Sequence, residues 1–216
     1  MTPLMVIRKV QYGYSIEKKW KPIEEISPYM VRAAIASEDN YFLGHNGFDV
    51  IALDQVLQER QSGRRKRGGS TISQQTAKNV FCWPRGSWIR KGVETYYTFL
   101  IETFWSKERI MEVYLNVIEM GKGIYGAEAA AQHYFHCSAK SLSAHQAALI
   151  TACYPAPLKR NPAHPSGYLS NQAGIIQGRM ARYGTPRFDD QYIKGCRERY
   201  QKAVVKMKKR REKRKK

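Results

Sequence analysis

Four short segments hold the residues that could do chemistry. The first is Glu38-Asp39-x-x-Phe42-x-x-His45-x-Gly47-Phe48-Asp49. It sets two carboxylates side by side at the predicted C-terminal end of a helix. The negative end of the helix dipole disfavours a carboxylate, and so does an apolar neighbour such as Phe42. A carboxyl group with a raised pKa suits general acid or base work near neutral pH. The same residues also suit an exposed acidic helix end with His45 hydrogen-bonded beside it.

The second segment is Gly68-Gly69-Ser70-Thr71-Ile72-Ser73-Gln74-Gln75-x-x-Lys78-Asn79. Two glycines let backbone approach a ligand closely. A helix N-terminus with the Ser70 and Thr71 hydroxyls beside it suits an anion. Thr71, Gln75 and Lys78 fall on one helix face, which is either a ligand site or a solvated stripe. The third segment, Arg90-Lys91-x-x-Glu94, is either a surface ion pair worth about 0.3–0.5 kcal/mol or an anion clamp beside a second carboxylate. Paired carboxylates with nearby cations fit glycosyl transfer from a diphosphate donor. The carboxylate takes a proton and the cations stabilise the departing charge. The fourth, Lys107-x-x-Ile110-x-x-x-Tyr114-Leu115-Asn116, reads as structure: Ile110 and Tyr114 are core, and Asn116 bonds backbone in the glycine turn that follows.

Helices must position these groups, and the pattern is helical almost throughout. Ser27-Pro28 starts one helix, with Met30, Val31, Ala34 and Ile35 on its apolar face. It runs toward Glu38-Asp39. A second lies between Gly47 and Gly63. Thr71-x-x-Gln74 is a capping box that opens a third. An aromatic-rich helix follows from about residue 88 to 105, and Ser106 caps the next. Residues 127–135 form an Ala-rich helix, Ser143-x-x-Gln146 opens another, and two more cover 171–183 and 189–208. Residues 1–7 read as an extended apolar segment. No alternating strand pattern of any length occurs. The expectation is a mainly α protein: one helical domain with little or no sheet over residues 1–205, then a tail over 206–216.

Charge is the compositional outlier. The 216 residues hold 37 basic against 18 acidic side chains, a net charge of +19. Such a field favours an anionic partner: nucleic acid, a membrane surface or a phosphorylated substrate. Residues 206–216 (KMKKRREKRKK) read as a solvated, disordered tail or one held on anionic lipid. A second basic run, Arg64-Arg65-Lys66-Arg67, sits inside the domain. The cysteines Cys82, Cys137, Cys153 and Cys196 form no C-x-x-C pair, and no second Cys/His pair accompanies His133-x-x-His136-Cys137, so a zinc site is not expected. The chain has no run of 18 apolar residues and no signal peptide.

Taken together and in order, the four segments resemble glycosyltransferase family 51, above all its monofunctional biosynthetic peptidoglycan transglycosylases. They match E-D-x-x-F-x-x-H-x-G-F-D, G-x-S-T-I-x-Q-Q-x-x-K-N, R-K-x-x-E and K-x-x-I-x-x-x-Y-L-N. The likeness runs from about Ser27 to Met180, and Leu4-Met5-Val6-Ile7-Arg8 also looks like the monofunctional members. The resemblance implies a lysozyme-like helical fold and polymerisation of lipid II onto a glycan strand carried on undecaprenyl pyrophosphate. It implies Glu38 as general base and Glu94 as the second carboxylate, supporting the leaving group with a divalent cation (Mg2+ or Mn2+) and no organic cofactor. Lys78 and Arg90 match pyrophosphate-binding positions. Thr71, Gln75, Asn79, Asp39, Phe42 and His45 match the site's lining, with Ser70 and Lys91 beside it. The implied partners are lipid II, the growing strand, an anionic membrane surface and cell-wall synthases, with no nucleic acid. The implied place is the periplasmic face of a bacterial inner membrane. The chain departs from the family in three ways: no arginine pair before the last apolar pattern, His136-Cys137 where Gly-Lys is common, and no N-terminal membrane helix.

Three other readings remain open on sequence. A nucleic-acid module accounts for the charge but not for the carboxylates. A lysozyme-like hydrolase accounts for the carboxylates but not for Lys78 and Arg90. An inactive scaffold in a cell-wall complex would have no need of intact carboxylates.

Overall fold

The computed structural model describes residues 1–63, 68–84 and 86–215, with side chains as far as Lys213. The basic run from Arg64 to Arg67 lies outside the described residues. Among those described there are ten α-helices and three very short strands, as the mainly α expectation requires.

The chain opens with α1 (Pro3–Tyr12), where an extended segment was expected. The reason is local. Thr2 caps the helix, Pro3 takes its first position, and Gly13 closes it in the left-handed region, the pattern that starts and stops helices. Strand β1 (Glu17–Lys18) follows. Helix α2 (Pro28–Glu38) starts at the expected Ser27 cap and buries Met30, Val31, Ala34 and Ile35. Asp49 caps α3 (Val50–Gln61). The predicted Thr71/Gln74 capping box forms and opens α4 (Ile72–Phe81). Then come α5 (Trp88–Phe104) and α6 (Lys107–Val117), each begun by a serine cap.

Strands β2 (Glu119–Gly121) and β3 (Ile124–Tyr125) form a bulged antiparallel pair, and β1 joins β3 in parallel, giving the order β1-β3-β2. Gly126 follows at φ +85°, where a Cβ would lie 2.8 Å from the Asn116 carbonyl oxygen; only glycine fits there. Helix α7 (Ala127–Phe135) ends at His136, whose φ of 51° is left-handed, a backbone conformation that glycine adopts most readily. The second predicted capping box opens α8 (Ala144–Cys153). Helix α9 (Gly167–Met180) begins at the Ser166 cap, four residues before the expected start.

Helix α10 (Asp190–Lys215) replaces the expected disordered tail. Its lysines and arginines are good helix formers, Asp189 accepts the Tyr192 N–H at its start, and half-buried Ala203, Val204 and Met207 give the last turns an anchoring side.

Two packings place the site. Helix α2 lies against α8 and α9, and α4 lies against α5, α6 and α1. The core joins Met30, Ile35, Phe42, Ile72, Ile110, Tyr114 and Ile150. Glu38, at the end of α2, is thereby brought against the middle of α4. Ile110 and Tyr114 are core as predicted. Asn116 is structural too, but not in the glycine turn: it exchanges hydrogen bonds with the Lys21 backbone, 2.8 Å each way.

Candidate active site

Asp39 organises the site without facing it. Its carboxylate is buried, accepts the Ile72 N–H at 3.0 Å and bonds His45 Nε2 at 2.9 Å. The positive N-terminus of α4, expected from sequence to receive a ligand anion, is thus filled by this chain's own carboxylate. Thr71 is likewise buried and donates to the Gly47 carbonyl at 2.6 Å. Phe42 is fully buried, and the Lys107 ammonium lies 4.8 Å from its ring centre. Lys107 also donates to the His45 carbonyl at 2.7 Å and to Glu102 at 2.8 Å. Asp39, Phe42, His45 and Thr71 therefore fix the turn after α2 onto α4, and none of the four lines the cleft.

Glu38, one residue before that anchor, is only half-buried. It accepts a hydrogen bond from Gln75 Nε2 at 2.9 Å. Removal of its carboxylate from water pushes its pKa above the ordinary carboxylate value, the Gln75 hydrogen bond opposes this, and the negative charge of Asp39 adds to the rise. Gln75 and Lys78 stand one helical turn apart on α4 and both line a cleft of about 580 Å³, with Asn79 and Arg90. Asn79 donates to the Gln75 carbonyl at 2.7 Å, which holds that turn of α4. The cleft's walls desolvate the Lys78 ammonium and lower its pKa, and the nearby Glu94 carboxylate partly offsets this.

Glu94 is buried, not at the surface. It accepts from Arg90 Nη1 at 2.8 Å and is paired with Lys91 on its other oxygen. A buried carboxylate shared by two cations is far more constrained than an exposed helix pair. Ser70 is exposed just before α4. Thus Gln75, Lys78, Asn79 and Arg90 line the cleft, Glu38 joins it through its hydrogen bond with Gln75, and Glu94 and Lys91 stand behind Arg90; Asp39, Phe42, His45 and Thr71 belong to the frame.

Sequence reasoning missed three contributors. Arg8, from α1, lines the cleft and reaches Glu119 at 3.6 Å. Its Nε is buried and has no partner among the described residues. Glu119 accepts from the Tyr125 hydroxyl at 3.2 Å. Tyr154, just past α8, also lines the cleft with a buried, unpartnered hydroxyl. The Arg8–Glu119 pair spans 111 residues, so no local spacing could have revealed it. Among the described residues no group of three His, Cys, Asp or Glu side chains is placed to hold a metal ion. The four cysteines are free.

Comparison with known proteins decides the family. Residues 5–181 match the family model described as Transglycosylase. The chain belongs to the transglycosylase family. A protein named biosynthetic peptidoglycan transglycosylase from Bacteroides thetaiotaomicron is 59% identical over 174 residues, spanning 78% of this chain and 70% of the relative. Proteins of the same name from Caulobacter vibrioides and Bdellovibrio bacteriovorus are 54% and 50% identical, covering 85% and 84% of this chain and 81% and 74% of theirs. As in the sequence expectation, this transglycosylase is a mainly helical transferase, and the match runs from within α1 through α9 and includes Arg8 and the cleft residues of α4 and α5.

Proposed function

We propose that this transglycosylase polymerises lipid II into β-1,4-linked glycan strands for the bacterial cell wall. The observation that carries the reading is the juxtaposition of Glu38, with its raised pKa, and the cationic wall of Lys78 and Arg90, joined by Gln75 on α4. Glu38 is the general base. It takes the proton of the acceptor's 4-hydroxyl, whose oxygen attacks C1 of the donor sugar from the side opposite the leaving group. The new C–O bond forms as the bond from C1 to the diphosphate oxygen breaks, and that electron pair leaves with undecaprenyl pyrophosphate. Lys78 and Arg90 hold the diphosphate and stabilise its added charge. Gln75 orients the Glu38 carboxylate. Glu94 fixes Arg90 and Lys91 in place.

A divalent cation, Mg2+ or Mn2+, fits this scheme as an ion carried by the substrate diphosphate, since Mg2+ is commonly held by phosphates with one or two carboxylates; Glu94 would join it only by giving up Arg90 or Lys91, which occupy its two oxygens. The cation would add charge neutralisation at the leaving group.

The reading places the protein at the periplasmic face of the inner membrane, beside other cell-wall synthases. No helix among the described residues is long and apolar enough to cross a membrane. Helix α5 instead exposes Trp88, Ile89, Tyr96, Phe99 and Phe104, with Trp88 93% exposed. Aromatic residues of this kind beside basic ones sit well at a bilayer interface. Phe81, by contrast, is half-buried and stacked on Tyr97 at 4.2 Å.

The test is incubation of the purified chain with labelled lipid II in detergent. Polymer that a muramidase degrades, with release of undecaprenyl pyrophosphate, supports the reading. Cleavage of preformed glycan without polymer formation would replace it with a hydrolase.

A further inference from the structure

The family match stops at residue 181, and α10 lies wholly beyond it. This helix is nevertheless built into the catalytic frame. Tyr200, on α10, is 5% exposed. Its hydroxyl accepts the Val50 N–H at 2.9 Å and donates to Asp49 at 3.2 Å. Its ring lies 5.3 Å from that of Tyr41 and 5.9 Å from that of His45. At Gly44 a Cβ would stand 2.7 Å from Tyr200 Cβ and 3.0 Å from the Cys196 carbonyl oxygen, so the turn and the helix are in backbone-close contact. The turn after Glu38 is therefore clamped between α4 on one side and α10 on the other.

The far end of α10 has a different character. Between Gln201 and Lys213 it carries seven basic residues against one acidic, and all seven are exposed. Arg211 reaches Asp54 of α3 at 3.5 Å. Helix α3 beside it exposes Val50, Leu53 and Leu57. A basic helix next to exposed aliphatic side chains has the chemistry of a membrane-surface element. A nucleic acid would account for the charge and leave the aliphatic side chains without a partner.

We propose that α10 is a strut that docks this domain on an anionic phospholipid bilayer and, through Tyr200, ties that docking to the catalytic turn. The idea rests on the reading of a lipid-carried donor, but its test needs no donor. The full chain is sedimented with vesicles of phosphatidylglycerol and phosphatidylcholine, and with phosphatidylcholine alone. A variant with Lys206, Lys208, Lys209, Arg210 and Lys213 changed to Gln keeps Arg211 for Asp54. Each basic residue near an anionic surface contributes severalfold to affinity, so the variant should bind anionic vesicles about a hundredfold or more weakly, with unchanged helicity. In wild type, anionic vesicles should also slow amide hydrogen exchange over residues 41–50, and in the variant they should not. Equal vesicle affinity in the two proteins would overturn the docking. Duplex DNA binding more tightly than the vesicles would overturn it in favour of a nucleic acid. Docking with no change of exchange over 41–50 would overturn the tie to the catalytic turn.

Discussion

Changing Asp39 to Asn should loosen the frame and retune the base at once. The Asp39 carboxylate holds the Ile72 N–H at 3.0 Å and His45 Nε2 at 2.9 and 3.1 Å. An asparagine can keep its carbonyl on Ile72 and then turns its amide N–H toward His45. His45 must give up its Nε2 proton and carry one on Nδ1, a buried atom with no partner among the described residues. Hydrogen bonds to a charged group are worth about 1.5–3 kcal/mol and neutral ones about 1 kcal/mol. One lost charged bond and one weakened bond therefore predict a destabilisation of about 2–4 kcal/mol. In a domain of this size that is a fall in Tm of roughly 5–15 °C, measured by circular dichroism at pH 8. The same change removes the negative charge that helps raise the Glu38 pKa, so the acid limb of the rate profile should move to lower pH in whatever protein remains folded. An Asp39→Asn protein within about 2 °C of wild type, with an unmoved acid limb, would refute the role given to Asp39.

Other consequences follow from the same geometry. Glu38 has a raised pKa in the folded state, so the fold loses stability as pH rises from the unfolded to the folded value; Glu38→Gln should therefore be more stable than wild type at pH 8 and no more stable at pH 4, by thermal melts at both. Lys78→Ala should raise Kd for the lipid-linked donor about tenfold or more, as expected for a lost charged contact, and wild-type donor affinity should fall on the alkaline side at a pH below the ordinary lysine value, because burial lowers the Lys78 pKa; isothermal titration against pH reads both. Arg8→Ala should weaken donor binding while Glu119→Gln, which keeps Arg8 charged, should cost less; equal and negligible effects would exclude Arg8 from the cleft's chemistry.

The helical frame was legible because its signals are local. Ser27-Pro28 and the two capping boxes, Thr71/Gln74 and Ser143/Gln146, act within four residues and formed where their spacing put them. The Thr2-Pro3 start carried the same kind of signal and was passed over for its apolar composition. Charge density misled at residues 206–215, where packing of Ala203, Val204 and Met207 and high helix propensity outweigh repulsion. Long-range pairings were not legible at all. That Asp39 would fill the N-terminus of α4, 33 residues on, depends on how α2 and α4 pack. The same holds for Arg8 with Glu119 and for Tyr200 with the turn around Gly44. Residue types named the candidate groups; packing set Glu38 against Gln75 of the cleft wall while its neighbour Asp39 holds the frame.

The central claim, that Glu38 is the base of a glycosyl transfer, is tested by comparing wild type and Glu38→Gln on lipid II under identical conditions, after circular dichroism has shown both folded. General bases contribute about 10²–10⁴-fold, so the account predicts long glycan strands from wild type and at least a hundredfold slower polymerisation from the variant, with donor affinity retained. Polymerisation by folded Glu38→Gln at a rate near wild type would contradict it.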